Sequence, residues 1–331
     1  MNDLTAGILA RLHGEGGYLS GEQLCREFGI TRSAIWKHIR QLRDTGCRIE
    51  AAPGSGYRLL MLSGSPVPAE VALFLKTGFF GRVVYYREET ASTNLLAKQL
   101  AAEGVPEGSV VTADFQSAGR GRLGRSWVSP AGQNLYFSVI LRPPVASYRV
   151  PQITLLVAAA IHRALLDAIP GIDAQIKWPN DILIGGKKLC GVLCEMQADP
   201  DTTHFVVAGI GINVSQSRFA PDLQDRATSL YRETGIHVCR PELLAGVLNR
   251  FEELYLQWLG EESLGFILPH LERHSLLQGR EVIVEQLNRR IAGTVLGIAS
   301  GGELLLGIAD GTELKITSGE ASLGSTYTTN L

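Results

Sequence analysis

The sequence predicts an α+β protein with three units: three helices and a hairpin at the N-terminus, a central mixed β-sheet with helices, and a small C-terminal β-barrel. Helical periodicity runs through residues 4–45, strand and helix patterns mix between residues 82 and 260, and short alternating strands with glycine turns follow residue 273. The chain has 331 residues and an apolar fraction of 45%, which is enough for two or three globular domains. We place these domains at 1–64, 65–273 and 274–331.

Composition excludes several classes of protein. The 31 Lys and Arg against 33 Asp and Glu give a net charge of -2, which argues against indiscriminate nucleic-acid binding. Residues 1–62 nevertheless hold eight basic and six acidic side chains, a net of +2 that leaves -4 for the rest. Five cysteines, an odd number in a long chain, predict reduced thiols. Residues 1–10 lack a secretory pattern and no apolar run approaches about 20 residues, so we expect a cytoplasmic protein without a membrane helix.

The N-terminal helices are predicted from apolar spacing and turn residues. Four apolar side chains between residues 4 and 12 share one helical face, and glycines at 14–17 end that helix. Ser20 and Gln23 match a capping box that begins a second helix. The turn at 29–31 leads into a third helix, and a hairpin with its tip at 53–56 follows. The predicted second and third helices and hairpin cover 21–28, 32–45 and 48–60.

The third helix is amphipathic in a way that suits DNA. Ile35, Ile39 and Leu42 form its inner face, while the opposite face groups cations, a hydroxyl and an indole. Three helices and a hairpin of this kind are typical of a winged helix-turn-helix, whose recognition helix enters the major groove. A helical dimerisation or regulatory module remains the alternative. The expected DNA-binding residues are Arg32, Ser33, Trp36, Lys37 and Arg40, with Arg58 as a further phosphate contact.

Residues 63–68 have the composition of a linker, and mixed strand and helix patterns follow it. The central region then resembles a catalytic-size α+β domain. The predicted strands are 83–86, 110–115, 135–141, 175–178, 189–196 and 205–212, and the predicted helices are 94–103, 153–168 and 241–259. The predicted strands of the C-terminal barrel are 282–285, 291–298, 303–307 and 313–317.

A loop at residues 116–127 interleaves three glycines with three arginines. Gly119, Gly121 and Gly124 have the spacing of a dinucleotide fingerprint, but no helix can follow them because residues 125–134 contain proline, glycine and no helical apolar period. A mobile cationic loop that closes over a polyanion fits better, since guanidinium groups pair with carboxylate or phosphate oxygens. A solvated basic loop is the alternative. The arginines are Arg120, Arg122 and Arg125.

Two further motifs suit nucleotide chemistry. Residues 177–181 pack a cation, an indole, an amide and a carboxylate between apolar strands, which favours adenine stacking or the handling of phosphate and Mg²⁺. A turn with an incidental tryptophan is the alternative. Lys188 leads into a buried strand, where its ammonium can neutralise a carboxylate or an α-phosphate.

The remaining candidate motifs are weaker one by one. Residues 92–94 sit at a strand-to-helix junction, where such triplets are usually caps, and 209–214 end a strand with glycines that permit close approach of a ligand. No metalloprotease, serine-hydrolase or Walker A pattern is present, and the seven histidines form no spaced cluster. A cationic pocket without a nucleophile suits acyl-adenylate formation, which depends on positioning and charge neutralisation.

These motifs, in this order and spacing, resemble the biotin protein ligases. The N-terminal winged helix resembles the bifunctional group of that family, which also represses the biotin operon. The resemblance covers essentially the whole chain, including residues 319–323 near its end. It implies a class II synthetase-like central domain and an SH3-like C-terminal barrel.

The resemblance also implies the site residues. Lys188 and Arg122 would be catalytic, and residues 215–228, with Phe219 and Leu223, would order over the adenine. The residues implied for biotin are Ser92, Thr93, Asn94, Gln116, Arg120, Gly121, Arg122 and Lys188. The residues implied for ATP and the adenylate are Gly119, Arg125, Trp127, Lys177, Asn180, Asp181 and Asn213, with Asp181 also implied for Mg²⁺.

The reaction implied is ATP- and Mg²⁺-dependent formation of biotinyl-5'-AMP, followed by transfer of biotin to a lysine of a biotin carboxyl carrier protein. The adenylate would act as corepressor by favouring a homodimer that binds operator DNA of biotin genes. Three alternatives stay open: a ligase whose N-terminal domain regulates nothing, a biotin-sensing repressor without catalysis, and a lipoate ligase.

Overall fold

The computed structural model describes residues 3–199, 202–286 and 289–323. Its N-terminal unit follows the predicted pattern closely. Ser20 Oγ accepts a hydrogen bond from Gln23 N at 3.0 Å, and Gln23 Oε1 accepts one from Ser20 N at 3.0 Å, so the predicted capping box is confirmed. The elements are helices α1 (Asp3–Glu15), α2 (Gly21–Phe28) and α3 (Arg32–Asp44) and the hairpin strands β1 (Arg48–Ala52) and β2 (Gly56–Met61).

Helix α3 has one buried face and one exposed face, as predicted. Ile35, Ile39 and Leu42 are buried in a core shared by α1, α2 and the hairpin. All five side chains expected to face DNA are exposed, and Trp36 keeps 53% of its surface. The amphipathic pattern therefore leaves this face exposed to solvent, where the Arg40 guanidinium lies 5.6 Å from the centre of the Trp36 ring.

The predicted linker is anchored to the fold. It runs into a short helix, α4 (Pro68–Ala72), that the sequence analysis missed. Glu70 on this helix is buried, and its carboxylate accepts hydrogen bonds from the backbone N–H groups of Ser63 at 2.8 Å and Gly64 at 3.1 Å. A buried carboxylate that is satisfied by backbone donors fixes the chain path between the first two units.

The central unit is a seven-stranded mixed sheet with helices on both faces. Its strands are β3 (Val84–Thr90), β4 (Val110–Gln116), β5 (Leu135–Leu141), β6 (Ala174–Lys177), β7 (Asp181–Ile184), β8 (Lys187–Ala198) and β9 (Thr203–Ile212). Its helices are α5 (Thr93–Ala102), α6 (Pro151–Ala168), α7 (Leu230–Thr234) and α8 (Arg240–Glu261). The strand order is β3-β4-β5-β9-β8-β7-β6, parallel between β3 and β4 and antiparallel elsewhere. Helices α6 and α8 cover one face, and α5 packs on the other face against Val111, Ile140 and Val207.

Helix α6 corrects the expectation that no apolar segment of the chain is long enough to span a membrane. Together with the turn before it, the segment Ser147–Ala168 has 22 residues and a mean hydropathy of 1.3 in its most apolar window, so it is long and apolar enough to span a membrane by length and composition alone. However, 72% of that window is buried inside the protein. It is the central core helix, whose residues between positions 152 and 165 pack under the sheet.

The C-terminal unit is a five-stranded antiparallel sheet preceded by a short helix. The elements are α9 (Leu268–Arg273), β10 (Glu281–Gln286), β11 (Arg289–Ile298), β12 (Leu304–Gly307), β13 (Glu313–Ile316) and β14 (Glu320–Leu323). The strand order is β13-β12-β11-β10-β14. Among the residues described, no ladder joins the edge strands β13 and β14, and residues 324–331 of the predicted barrel lie outside the described part. Strand β14, which is absent from the predicted strands, carries Glu320 toward the central unit.

Candidate active site

A cavity of about 310 Å³ opens on the α5 face of the central sheet. Its walls come from the start of α5, the loop at 117–128, strands β7 to β9 and the edge strand β14. Gly119 does not line it, because this residue lies at the base of the loop, where its carbonyl accepts a hydrogen bond from Trp127 N at 2.9 Å. The other predicted residues do line it: Ser92, Thr93, Asn94, Gln116, Arg120, Gly121, Arg122, Arg125, Trp127, Lys177, Asn180, Asp181, Lys188 and Asn213.

One end of the cavity is a buried network of uncharged polar groups. Gln116 Oε1 accepts hydrogen bonds from Thr93 N at 2.9 Å and Thr93 Oγ1 at 3.2 Å. Gln116 Nε2 donates to Ser129 Oγ at 2.9 Å, which fixes the orientation of the amide. Buried polar groups need partners, so this network holds its donors and acceptors in one arrangement.

Asn94 is held by residues that the sequence analysis did not nominate. Ser138 Oγ donates to Asn94 Oδ1 at 2.6 Å, and Asn94 Nδ2 donates to Glu195 Oε2 at 2.8 Å. Glu195 is also paired with Lys98. Ser138 is the single serine in the apolar strand LYFSVIL, whose other hydroxyl belongs to Tyr136, and this is the signal that could have identified it.

Two glycines of β9 allow pocket side chains to lie directly on the sheet. A Cβ at Gly209 would come within 1.9 Å of Asn94 Oδ1, and a Cβ at Gly211 would come within 2.5 Å of the Trp127 ring. The glycines at 209 and 211 were expected to let a ligand lie close to the strand. In this structure the side chains of Asn94 and Trp127 occupy that space, and they form part of the cavity wall.

The arginine loop is joined to the C-terminal unit. Arg122 donates to Asn180 Oδ1 at 2.8 Å and to the Gly319 carbonyl at 3.2 Å. Arg125 forms a two-pronged pair with Glu320, with N···O distances of 2.8 Å and 2.6 Å. The sequence analysis did not assign Glu320 to the pocket.

The tip of this loop is strained and exposed. Leu123 has φ 55°, a left-handed conformation that is costly for a branched side chain, and 74% of its surface is exposed. Gly124 follows with φ 74°. The loop is thus held mainly by its arginines and by backbone bonds at its base, because its tip contributes little packing.

Lys188 stands at the boundary between the two ends of the cavity. Its Nζ lies 2.8 Å from Asp181 Oδ1 and 5.5 Å from the centre of the Trp127 ring. Its side chain is 37% exposed, so the ammonium reaches the cavity while the backbone stays in β8. The predicted position of this lysine at the start of a buried strand is confirmed.

The segment 215–228 forms the opposite wall. Lys188 N donates to the Arg226 carbonyl at 2.8 Å, and Thr228 N donates to the Lys188 carbonyl at 3.0 Å. Asn213 Nδ2 donates to the Thr228 carbonyl at 3.0 Å. Asn213 therefore orients this segment, whose Phe219 and Leu223 line the cavity.

The other end of the cavity is strongly cationic. Among the described residues, six lysine and arginine side chains line the cavity as a whole against two carboxylates, Asp181 and Glu320, and each carboxylate already has a cationic partner. An excess of guanidinium and ammonium groups favours an anion with several charges. The cationic side chains are Arg120, Arg122, Arg125, Lys177, Lys188 and Arg226.

A neutral polar subsite, a cationic subsite and a lysine between them suit a ligase that activates a carboxylic acid, and the unit that holds them is joined to a winged helix-turn-helix. The comparisons with known proteins identify the family. The biotin/lipoate A/B protein ligase family matches residues 84–213, an HTH domain matches 6–58, and the biotin protein ligase C terminal domain matches 278–324. The chain belongs to the biotin protein ligase family and, with its HTH domain, to the ligase/repressor type.

Relatives of this type align over almost the full chain. The bifunctional ligase/repressor BirA of Bacillus spizizenii is 40% identical over 93% of this chain and 94% of its own length. The bifunctional ligase/repressor BirA of Escherichia coli is 33% identical over 98% and 99%. Among solved structures, the biotin protein ligase of Aquifex aeolicus in complex with biotin and ATP has a TM-score of 0.63 and 34% identity, covering 73% of this chain and 98% of its own.

Proposed function

We propose that this protein joins biotin to ATP to form biotinyl-5'-AMP and then transfers the biotinyl group to a lysine of a biotin carboxyl carrier protein. The observation that carries the proposal is the division of one cavity into a neutral polar end and a cationic end, with Lys188 where they meet. Such a division suits a molecule with an uncharged polar ring and a carboxylate, placed next to a triphosphate.

The neutral end suits the ureido ring of biotin. A ureido group offers two N–H donors and one carbonyl acceptor, and amide and hydroxyl groups can match both kinds. Ser92, Thr93, Asn94 and Gln116 would make these contacts, and all four are buried. Ser138 and Ser129 would orient them, because they fix the amides of Asn94 and Gln116.

The chemistry at the boundary follows from charge. A carboxylate oxygen of biotin attacks the α-phosphorus of ATP, the bond to pyrophosphate breaks, and a mixed anhydride forms. Lys188 and Arg122 would neutralise the carboxylate and the phosphate, which repel one another until they are paired with cations. The acceptor amine then attacks the acyl carbon, loses its proton, and releases AMP.

The arginine loop and the segment 215–228 would keep water from the adenylate. Arg120 and Gly121 belong to the loop over biotin, while Arg125 already pairs with Glu320. Phe219 and Leu223 would cover the adenine, with Trp127 as its opposite wall. Exclusion of water matters because an acyl phosphate hydrolyses readily. Lys177, Asn180 and Asn213 would place the nucleotide within this enclosure, and Gly119, which does not line the cavity, would act only through the base of the loop.

Asp181 would hold Mg²⁺ together with the triphosphate. Mg²⁺ is usually bound by one or two carboxylates and by phosphate oxygens, and a cavity with only two lining carboxylates fits that donor set when the nucleotide supplies the rest. The ion would supply charge neutralisation for the leaving pyrophosphate.

The N-terminal unit would bind operator DNA of biotin genes, with the adenylate as corepressor and a homodimer as the binding form. Arg32, Ser33, Trp36, Lys37 and Arg40 support this proposal because all five are exposed on one helix. We also propose that the protein works in the cytoplasm, in keeping with five free cysteines. The domains 1–64, 65–273 and 274–331 would divide DNA binding, adenylation and closure of the arginine loop.

Intact mass tests the ligase directly. A biotin carboxyl carrier domain is incubated with this protein, biotin and Mg-ATP, and each component is omitted in turn. We expect a gain of one biotinyl group that requires both enzyme and ATP. Biotin binding without any mass gain would contradict the ligase and leave a sensor-repressor.

A separate titration of DNA from the biotin genes, with and without biotinyl-5'-AMP, tests repression. Equal affinities for this DNA in the two conditions would leave a ligase with a non-regulatory N-terminal unit.

A further inference from the structure

Three of the seven histidines meet in one cluster, away from the cavity, although the sequence analysis expected none. His162 lies in α6, His270 lies in α9, and His274 follows α9 directly. One ring nitrogen from each lies within 4.8 Å of the others. The ring centres are 4.4 to 5.0 Å apart.

The local fold explains how the cluster forms. His270 and His274 are four residues apart, and His274 N lies 3.2 Å from the His270 carbonyl, so one helical turn places both rings on the same side. His162 comes from the central core helix and is fully buried. The wide separation of His162 from the other two in the chain is the reason that spacing alone does not reveal the cluster.

Hydrogen bonding leaves ring nitrogens available in this cluster. His162 Nε2 lies 2.9 Å from the Ala174 carbonyl, which can only accept, so Nε2 carries the proton and Nδ1 carries the lone pair. Within the described part of the chain, His162 Nδ1 and His270 Nε2 are buried without a hydrogen-bond partner. Buried polar atoms without partners are rare in native proteins, and such an atom calls for an explanation.

We propose that His162, His270 and His274 bind a divalent transition-metal ion, with Zn²⁺ as the best fit. Imidazole nitrogens suit Zn²⁺, and three of them leave a fourth tetrahedral position for water. The bond from His162 Nε2–H to a backbone carbonyl is the arrangement that orients metal-binding histidines. Bond lengths of about 2.0 Å place ligand nitrogens roughly 3.3 Å apart, so the rings would have to turn their nitrogens toward the ion.

The surroundings set the expected strength of binding. The three ligands are neutral, and the positive charges of Arg163 and Arg273 act on the cluster, so affinity should be lower than at a site with thiolate ligands. The ion would tie α6 to the segment after α9. That segment is joined to β6, because Ile176 N donates to the His274 carbonyl at 2.7 Å. The expected consequence is a more stable junction between the central and C-terminal units.

The test uses the full chain without an affinity tag, stripped of metal by a chelator. Co²⁺ is titrated and the visible absorption of a tetrahedral complex is recorded, and Zn²⁺ is then used to displace it. We expect one equivalent of metal and a rise in Tm with Zn²⁺, because a ligand that binds only the folded state stabilises it. Absence of a saturable Co²⁺ spectrum in the wild-type protein would overturn the proposal without recourse to any variant.

Single substitutions test whether the metal ion is bound by the three histidines. His270→Gln and His274→Gln should each lose the Co²⁺ spectrum and the Zn²⁺-dependent rise in Tm while keeping the far-UV circular dichroism of the wild type. His237→Gln is the matched control, because His237 is exposed and lies outside the cluster. It should bind one equivalent like the wild type. Metal binding that survives in both cluster variants, or that is lost in the control, would place the ion elsewhere and overturn the assignment.

Discussion

Lys188 is the residue at which the two substrates would meet. Lys188→Ala removes the ammonium 2.8 Å from Asp181 and leaves the carboxylate unpaired in the cavity. We expect the rate of adenylate formation to fall about 100- to 1,000-fold, as when a charge-stabilising donor is removed from an active site. Pyrophosphate release in a single turnover measures this step.

A matched control is available next to this lysine. Lys187→Ala changes the neighbouring lysine, which does not line the cavity. It should keep adenylate formation within about twofold of the wild type, as expected for a surface substitution. Equal losses in the two variants, or normal adenylate formation by Lys188→Ala, would remove the assigned role.

Gly209 tests whether Asn94 holds biotin. In Gly209→Ala the new Cβ would lie 1.9 Å from Asn94 Oδ1, so Asn94 must leave its bonds to Ser138 and Glu195. Loss of such buried hydrogen bonds costs about 1 to 3 kcal/mol, which is roughly 5- to 150-fold in affinity. We expect the KM for biotin to rise by that factor while the KM for ATP changes little.

Gly246→Ala is the control for this substitution, because its Cβ would meet only Ala164 Cβ at 3.8 Å, within a helix. Both KM values should be unchanged there. A Gly209→Ala enzyme with a normal KM for biotin would show that Asn94 does not contribute to the subsite. Equal rises in both KM values would indicate general damage to the sheet.

At the scale of elements, the pairing of the arginine loop with strand β14 should govern how long the adenylate is retained. Glu320→Gln weakens the two-pronged pair with Arg125. We expect faster escape of the adenylate and more labelling of nearby lysines, because the loop opens more often. Trapping of released adenylate by free hydroxylamine measures the escape rate. Glu313→Gln, an exposed change on β13, is the control and should leave it unchanged.

The Arg125–Glu320 pair also predicts that escape of the adenylate depends on pH. Arg125 holds the pKa of Glu320 below its usual value. A carboxyl whose pKa is lowered in the folded state contributes stability above its unfolded pKa and loses it as the pH falls through the folded pKa. Escape of the adenylate should therefore be constant near neutral pH and rise below the usual range of glutamate. In Glu320→Gln this acid-dependent rise should be absent, and a rise of the same size would assign it to another group.

Elements that are set by local signals could be predicted from the sequence, and those set by distant partners could not. Ser20 and Gln23 lie within one turn of each other, so their capping box is visible in the sequence and is present in the structure. Strand β7 was missed because it has only four residues and is separated from Trp178-Pro179 only by Asn180. Helix α4 was also missed because it is short. Its five residues include Glu70, whose carboxylate accepts a hydrogen bond from the backbone of Ser63 in the preceding linker.

The residues of the candidate site also divide into those that the sequence predicts and those that it does not. The glycines and arginines of the loop at 116–127 are close together in the sequence, so the sequence alone predicts a cationic loop there. Ser138 has one local signal, because it is the single serine of an apolar strand. Glu320 contributes through a strand that packs against the loop only in the folded chain, so no local pattern marks it. The histidine cluster is the extreme case, because His162 and His270 belong to helices that meet only through the core.

At the scale of the whole molecule, a chain of polar contacts joins the linker to the wall of the cavity. Ser65 Oγ donates to Asp114 Oδ2 at 3.1 Å, and Arg240 Nη1 donates to Asp114 Oδ1 at 2.8 Å and to the Asn134 carbonyl at 3.1 Å. Asn134 Nδ2 then donates to Gln216 Oε1 at 2.7 Å, within the segment proposed to cover the adenine. These contacts link the two regions that the proposed corepressor would have to connect.

Ser65→Ala tests whether this connection transmits the adenylate signal to the DNA-binding unit. The change removes the hydrogen bond from Ser65 Oγ to Asp114 and the longer one that Ser65 Oγ accepts from Arg240 Nη2 at 3.5 Å, and it leaves the buried Arg240–Asp114 pair intact. We expect the enhancement of DNA affinity by biotinyl-5'-AMP to fall about 5-fold or more, within the usual range of coupling energies of 1 to 3 kcal/mol, while ligation stays normal. Titration of operator DNA with and without the adenylate measures this ratio. Ser300→Ala, an exposed serine in the C-terminal unit, is the control. Coupling is the difference between the free energies of DNA binding with and without the adenylate. An equal loss of DNA affinity in both conditions would show that Ser65 only supports the fold of the linker. An unchanged ratio of the two affinities would show that the signal takes another route.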